Sequence, residues 1–183
     1  MLRLALCSLV LLAAPRLAAQ VVVVPAIHAA ADAPSTTWLA GFGTKLRQQL
    51  LVDAQHLAPL VNRSVAAIAF RRDTGRAFAA LPGGTATITI RLSTSPRTAR
   101  EPSDRLADNT GTDELIVFSG AVAIPTAPAV IPSAAVPWTT PHAVRIPLTT
   151  PFVYRGGTLT IDLDGARSAG SASSGRSTPR ASR

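Results

Sequence analysis

Apolar and polar residues alternate with a period of two along much of this chain. In residues 84–93, Ala86, Ile88, Ile90 and Leu92 fall on one side, and Thr85, Thr87, Thr89 and Arg91 on the other. Successive side chains of a strand point to opposite faces, so this pattern predicts a strand half buried in a sheet. Residues 157–163 repeat it, with Leu159, Ile161 and Leu163 inward and Thr158, Thr160 and Asp162 outward. Residues 143–148 do the same with Val144, Ile146 and Leu148 inward. Pro147 has no backbone donor, which assigns that strand to an edge or a bulge. Further strands are predicted at 45–52, 65–71 and 115–124. The first of these also fits an amphipathic helix with Leu46, Leu50 and Leu57 on one side; the β character of the remainder favours the strand.

Turn signals stand between these runs at Gly75, Pro82-Gly83-Gly84, Asn109-Thr110-Gly111 and Gly156-Gly157. Many short strands without a convincing long helix predict an all-β fold, an antiparallel β-sandwich of jelly-roll-like form. The stretch from Pro125 to Pro141 holds five prolines and is expected to be a long irregular connection from one sheet to the other. Residues 165–183 are Ser, Ala, Gly and Arg apart from Thr178 and Pro179, without apolar periodicity, and are expected to form a disordered tail.

The first twenty residues have a different character. Arg3 gives a short basic start, Leu4 to Ala14 is an uncharged, apolar run interrupted only by Ser8, and Leu17-Ala18-Ala19 offers small residues at a cleavage point. This reads as a signal peptide, and it implies a secreted or extracellular protein. A membrane anchor would need roughly 20 consecutive apolar residues, and Pro15 and Arg16 end the run well short of that, so no stable membrane span is expected. Ala29-Ala30-Ala31 is a second small-residue site. Cys7 is the only cysteine and lies within the apolar run, so the exported domain must hold together without disulfides. The expected organisation is therefore a signal peptide at 1–20, a domain at 21–164 and a tail at 165–183.

The 183 residues carry a formal charge of +8. Arg3 and Arg16 leave with the signal, and Arg167, Arg176, Arg180 and Arg183 belong to the tail, so residues 21–164 retain only +2. A nucleic-acid partner, which calls for basic residues clustered on one face, is not expected. A domain of this length buries a core of its own. With five Phe, two Trp and one Tyr in the chain, that core must be filled mainly by Val, Ile, Leu and Ala.

Catalytic signatures are absent: there is no Gly-x-Ser-x-Gly, no His-Glu-x-x-His, no phosphate-binding glycine loop and no cysteine pair. No catalytic residue is assigned. His28, His56 and His142 are scattered, and His56 with Asp53 has no adjacent nucleophile. The two glutamates, Glu101 and Glu114, flank one loop, which does not suit the paired carboxylates of a glycosidase. No cofactor is implied. The one candidate is calcium, because Asp104, Asp108 and Asp113 lie in an oxygen-rich loop of the kind hard cations accept; its spacing is not that of an EF-hand, and a solvated turn is the preferred reading. Trp38 and Trp138 are candidate ligand-binding residues, since exposed aromatic faces stack on sugars; the alternative is that they fill the core.

Six short motifs occur in order: Arg47-Gln48-Gln49-Leu50-Leu51 with Asp53-Ala54-Gln55-His56-Leu57, Ile68-Ala69-Phe70-Arg71-Arg72, Leu92-Ser93-Thr94-Ser95, Ala107-Asp108-Asn109-Thr110-Gly111, Val117-Phe118-Ser119-Gly120 and Thr150-Pro151-Phe152-Val153-Tyr154. In this the chain resembles a group of uncharacterised secreted β-sandwich proteins of planctomycete-type bacteria, over most of residues 36–163. The resemblance implies export and a sandwich fold, and supplies no catalytic residue. The similar proteins continue with ordered sequence where this chain departs at Gly165, which implies that the final strands are missing here.

The leading expectation is a secreted, non-catalytic β-sandwich that binds or builds something outside the cytoplasm, such as a polysaccharide, a cell-surface component or another protein. The runner-up is an extracellular polysaccharide-active hydrolase or lyase, which requires His56, Asp53 and a third polar group within hydrogen-bond reach. A third reading is attachment to an anionic surface through the arginine-rich tail, recognisable by strong salt dependence.

Overall fold

The computed structural model describes residues 21–32, 47–75 and 78–167. The signal-like segment, Trp38 and the residues from 168 onward lie outside the described residues. Six strands carry the structure: β1 (Arg47–Val52), β2 (Arg63–Arg71), β3 (Gly84–Ser95), β4 (Leu115–Ile124), β5 (Ala143–Tyr154) and β6 (Thr158–Arg167). Helical structure among the described residues is limited to 3-10 turns of three or four residues. The strands form two antiparallel sheets, a four-stranded one in the order β1-β6-β3-β4 and a two-stranded one in the order β2-β5. The fold is all-β, and every strand predicted from alternation is present.

β1 settles its own ambiguity through its partner. Leu50 pairs with Ile161 and Val52 with Leu159 on the core side, Arg47 with Asp164 and Gln49 with Asp162 on the outer side; Gln48, opposite Leu163, and Leu51, opposite Thr160, are the two exceptions to the division. A helix would meet only one of those faces. In β3, Ala86, Ile88, Ile90 and Leu92 are fully buried. They join Val117, Val122, Leu159 and Leu163 of the same sheet and Ile146, Phe152 and Tyr154 of the other in a single apolar cluster. Each such Leu or Ile contributes about 1.5–3 kcal/mol relative to an exposed side chain.

β5 is longer than alternation predicts. It runs through Pro147 and Pro151 to Tyr154, and the proline rule explains how: Pro147 pairs with Ala67 beside a register shift, after which Val65 faces Phe152. The missing N–H falls where the ladder is already interrupted. The connection from β4 to β5 is irregular and does pass from one sheet to the other, held on the way by an isolated bridge between Leu81 and Ala127.

The domain boundary expected at residue 164 falls three residues too early. β6 pairs with β1 on one side and β3 on the other, making it an inner strand, and it continues to Arg167, with Gly165, Ala166 and Arg167 opposite Ile88, Thr87 and Ala86. Gly165 hid this, because it has no side chain to mark an inward position. It sits opposite Ile88, whose neighbour on the other flank is Gly120. The turn from β5 into β6 uses Gly156 and Gly157 at φ values of +117° and +86°, a conformation that favours glycine.

Candidate functional site

The outward residues of β6 are not solvated. Thr160 and Asp162 are almost fully buried because the connection between β3 and β4 folds back over the outer face of the four-stranded sheet. Its turn, Leu106–Asn109, is fastened by side-chain amides. Asn109 Nδ2 donates to Gln49 Oε1 (3.1 Å) and to the Ser103 carbonyl (2.9 Å), and Asn109 Oδ1 accepts from the Ser103 amide (2.8 Å). Thr160 Oγ1 donates to the Asn109 carbonyl (2.7 Å) and the Gly111 amide to Ser93 Oγ (3.1 Å). At the centre, Asp162 accepts from Arg47 Nε (3.1 Å), Arg47 Nη2 (2.7 Å) and Gln49 Nε2 (2.9 Å). Burial pushes the Asp162 carboxyl up, but the hydrogen bonds from Arg47 and Gln49 and the charges of Arg47 and Arg91 outweigh it and hold the group below the ordinary carboxylate range.

Close packing continues at Gly111, where an added Cβ would stand 1.9 Å from the Thr94 carbonyl oxygen. Gly111→Ala is therefore expected to destabilise the protein by about 1–3 kcal/mol by overpacking, with loss of amide-exchange protection centred on residues 103–111. Native-like protection in the variant would show that the loop is not seated as described.

The carboxylates named as calcium ligands serve this clasp separately. Asp113 accepts from the Thr94 amide and hydroxyl (both 2.7 Å), Asp108 accepts from Ser103 Oγ (2.9 Å), and Asp104 is exposed. Among the described residues no group of three or more His, Cys, Asp or Glu side chains is placed to hold a metal ion. Asp53 and His56 do not form a base and its orienter either. Asp53 Oδ1 accepts from the Ala99 amide (2.8 Å) and Thr158 Oγ1 (3.2 Å), while His56 Nε2 lies 3.3 Å from Gln55 Nε2.

A second constellation was not foreseen and gathers at one end of the two-stranded sheet. Arg71, the last residue of β2, places its guanidinium 4.6 Å from the ring centroid of Trp138, a cation–π stack. The same guanidinium donates to the carbonyls of Val136 (3.1 Å), His28 (3.0 Å) and Ala31. Asp32 secures the neighbouring stretch by accepting from Thr74 Oγ1 (2.9 Å) and the Gly75 amide (3.1 Å). Arg71 thus joins residues 28–31, the sheet and the proline-rich connection at one corner. Trp138 is half-buried, and its Nε1–H, like His142 Nδ1 four residues on, is shielded from solvent without a hydrogen-bond partner among the described residues. Sequence reasoning named Trp138 and missed Arg71, since nothing local connects two residues so far apart in the chain.

The described residues form an all-β fold with an aromatic–cation corner, and Asp53, Asp108, Asp113 and Asp162 are committed to structural bonds. Compared with models of protein families, with curated proteins and with solved structures, the chain has no match. Among the described residues no helix is long and apolar enough to cross a membrane.

Proposed function

We propose that the chain is a secreted, non-catalytic β-sandwich module that binds a polysaccharide or another cell-surface component outside the cytoplasm. The observation that carries this reading is the Arg71–Trp138 corner: an indole held in a fixed orientation and half open to solvent. An aromatic face of that kind stacks on the apolar face of a sugar ring. The sandwich form is supported by the one apolar cluster to which both sheets contribute. The jelly-roll form is supported by the strand order, which is that of a jelly roll shortened by two strands between β3 and β4.

Export is supported by the basic start and apolar run of the first twenty residues. Processing close to Gln20 suits the fold better than a cut near Ala31, because a cut there would remove the carbonyls of His28 and Ala31 from Arg71. The absence of chemistry is supported by what the polar groups do: Asp53, Asp108, Asp113 and Asp162 each hold a loop or a neighbouring strand.

The test is retention of the full exported chain on a panel of polysaccharides, with reducing ends and unsaturated products assayed in parallel. Retention on at least one polymer without new ends is the expected result. New reducing ends or unsaturated products would establish the hydrolase or lyase instead, and retention on no polymer would overturn the binding reading.

A further inference from the structure

The two sheets differ in charge, and the near-neutral total of residues 21–164 conceals it. β2, β5 and the residue that follows each carry Arg63, Arg71, Arg72, Arg145 and Arg155, with no acidic residue among them. Eight of the ten acidic residues lie on the other sheet and its loops, as Asp53, Asp162, Asp164 and the five from Glu101 to Glu114, interspersed there with Arg47, Arg91, Arg97, Arg100 and Arg105; the other two, Asp32 and Asp73, stand beside the Arg71 corner, where they accept from Thr74 and Gly75. We infer that the outer face of the two-stranded sheet is a docking surface for an acidic polysaccharide, one bearing carboxylates along its sugars. This rests on the reading of the chain as a polysaccharide-binding module and names its ligand class.

Register fixes the face. Ile68 and Phe70 pair with Ile146 and Val144 toward the apolar cluster, so their alternates Ala67, Ala69 and Arg71, opposite Pro147, Arg145 and Ala143, lie on the outer side. Further along, Ser64 faces Val153 on that same side. Ser64, Ala69, Arg145, Pro147 and Val153 are all exposed. The surface is low, with small side chains on β2, and extends for roughly 17 Å between the Ala69–Arg145 and Ser64–Val153 pairs at the usual rise per strand residue.

Arg145 is exposed and has no partner among the described residues. Arg71, on the same face, is already stacked on Trp138. At the far end Arg155, just after Tyr154, is exposed; Arg63 is exposed too but, opposite the buried Tyr154, stands on the inner side by register. A guanidinium grips a carboxylate through two parallel N–H bonds, and the indole beside Arg71 supplies the stacking surface for the sugar that carries it. A nucleic acid suits the face less well. No aromatic side chain other than Trp138 stands on this face to stack successive bases, and a few spaced arginines are sparse for a backbone bearing a charge on every nucleotide.

The experiment measures binding of the full exported chain to polygalacturonate, to neutral dextran and to duplex DNA across a salt series. It includes the Arg145→Glu variant and, as a matched charge change on the other sheet's loop, Arg105→Glu; Arg105 is exposed. The expected result is preference for polygalacturonate over the other two, weakening with salt as exposed charges are screened. Arg145→Glu is expected to lower that affinity by about tenfold or more, with an unchanged melting temperature, and Arg105→Glu by less than about twofold. Equal losses in the two variants would reduce the effect to net charge and the arginine-rich tail, and would overturn the inference, as would tighter binding to DNA. Retention of neutral polymers without preference for polygalacturonate would overturn the acidic ligand class alone. Retention of no polysaccharide would overturn the function it rests on as well.

Discussion

Replacing Ile90 with alanine is expected to destabilise the protein by about 2–5 kcal/mol in equilibrium urea unfolding, the range for emptying a packed core position. Ile90 lies in the central strand β3 between Leu163 of β6 and Phe118 of β4, and its side chain is fully buried. The adjacent Thr89 is the control. It points to the other face, where its hydroxyl lies 3.0 Å from Ser119 Oγ, and Thr89→Ala removes only a cross-strand pair worth about 0.2–1 kcal/mol. A ratio near one between the two costs would mean that the register of β3 is wrong, and with it the division between core face and loop-covered face.

Arg47→Met is expected to cost about 3 kcal/mol at pH 7, the lower end of what removing one partner of a buried ion pair costs. Arg47 is 45% exposed, whereas Asp162 is 2% exposed, so the deletion strands the buried carboxylate with only Gln49 as a donor. Because the folded protein holds the Asp162 carboxyl below its unfolded value, its contribution is present above the unfolded pKa and is lost as pH falls through the folded one. The difference between native and Arg47→Met proteins should therefore shrink as the pH is lowered below about 4. A difference that stays constant down to pH 2 would show that the pair does not act through charge.

Much of this was legible in the sequence, and the reason is the period of the strand. Alternation depends on one bond geometry, so it marked β3, β4 and the start of β5 closely and named Ile88, Ile90, Leu92, Ile146 and Leu159 as core. It could not say what lies on the polar side. Asp162 and Thr160 read as outward, which they are, yet they are buried because a distant loop covers them, and no local pattern records that. Gly165 carried no side chain to continue the alternation, so the end of β6 was placed too early. The acidic loop was read as an oxygen-rich cluster because composition does not show that Asp113 turns to Thr94 and Asp108 to Ser103. Trp138 was visible as a rare aromatic, but its partner Arg71 and the shared outer face of Arg71 and Arg145 emerge only when the sheets are assembled.

The most direct measurement of the proposed function is equilibrium binding of Trp138→Ala to the polysaccharide that the native chain retains best, with thermal unfolding recorded alongside. Trp138→Phe, which keeps a ring beneath Arg71, serves as the variant that preserves the corner. The account predicts that Trp138→Ala loses at least about tenfold in affinity, as expected of a stacking anchor, while Trp138→Phe melts cooperatively near the native temperature and binds with intermediate strength. Native affinity in cooperatively folded Trp138→Ala, or in Trp138→Phe if the alanine variant does not fold, would contradict it.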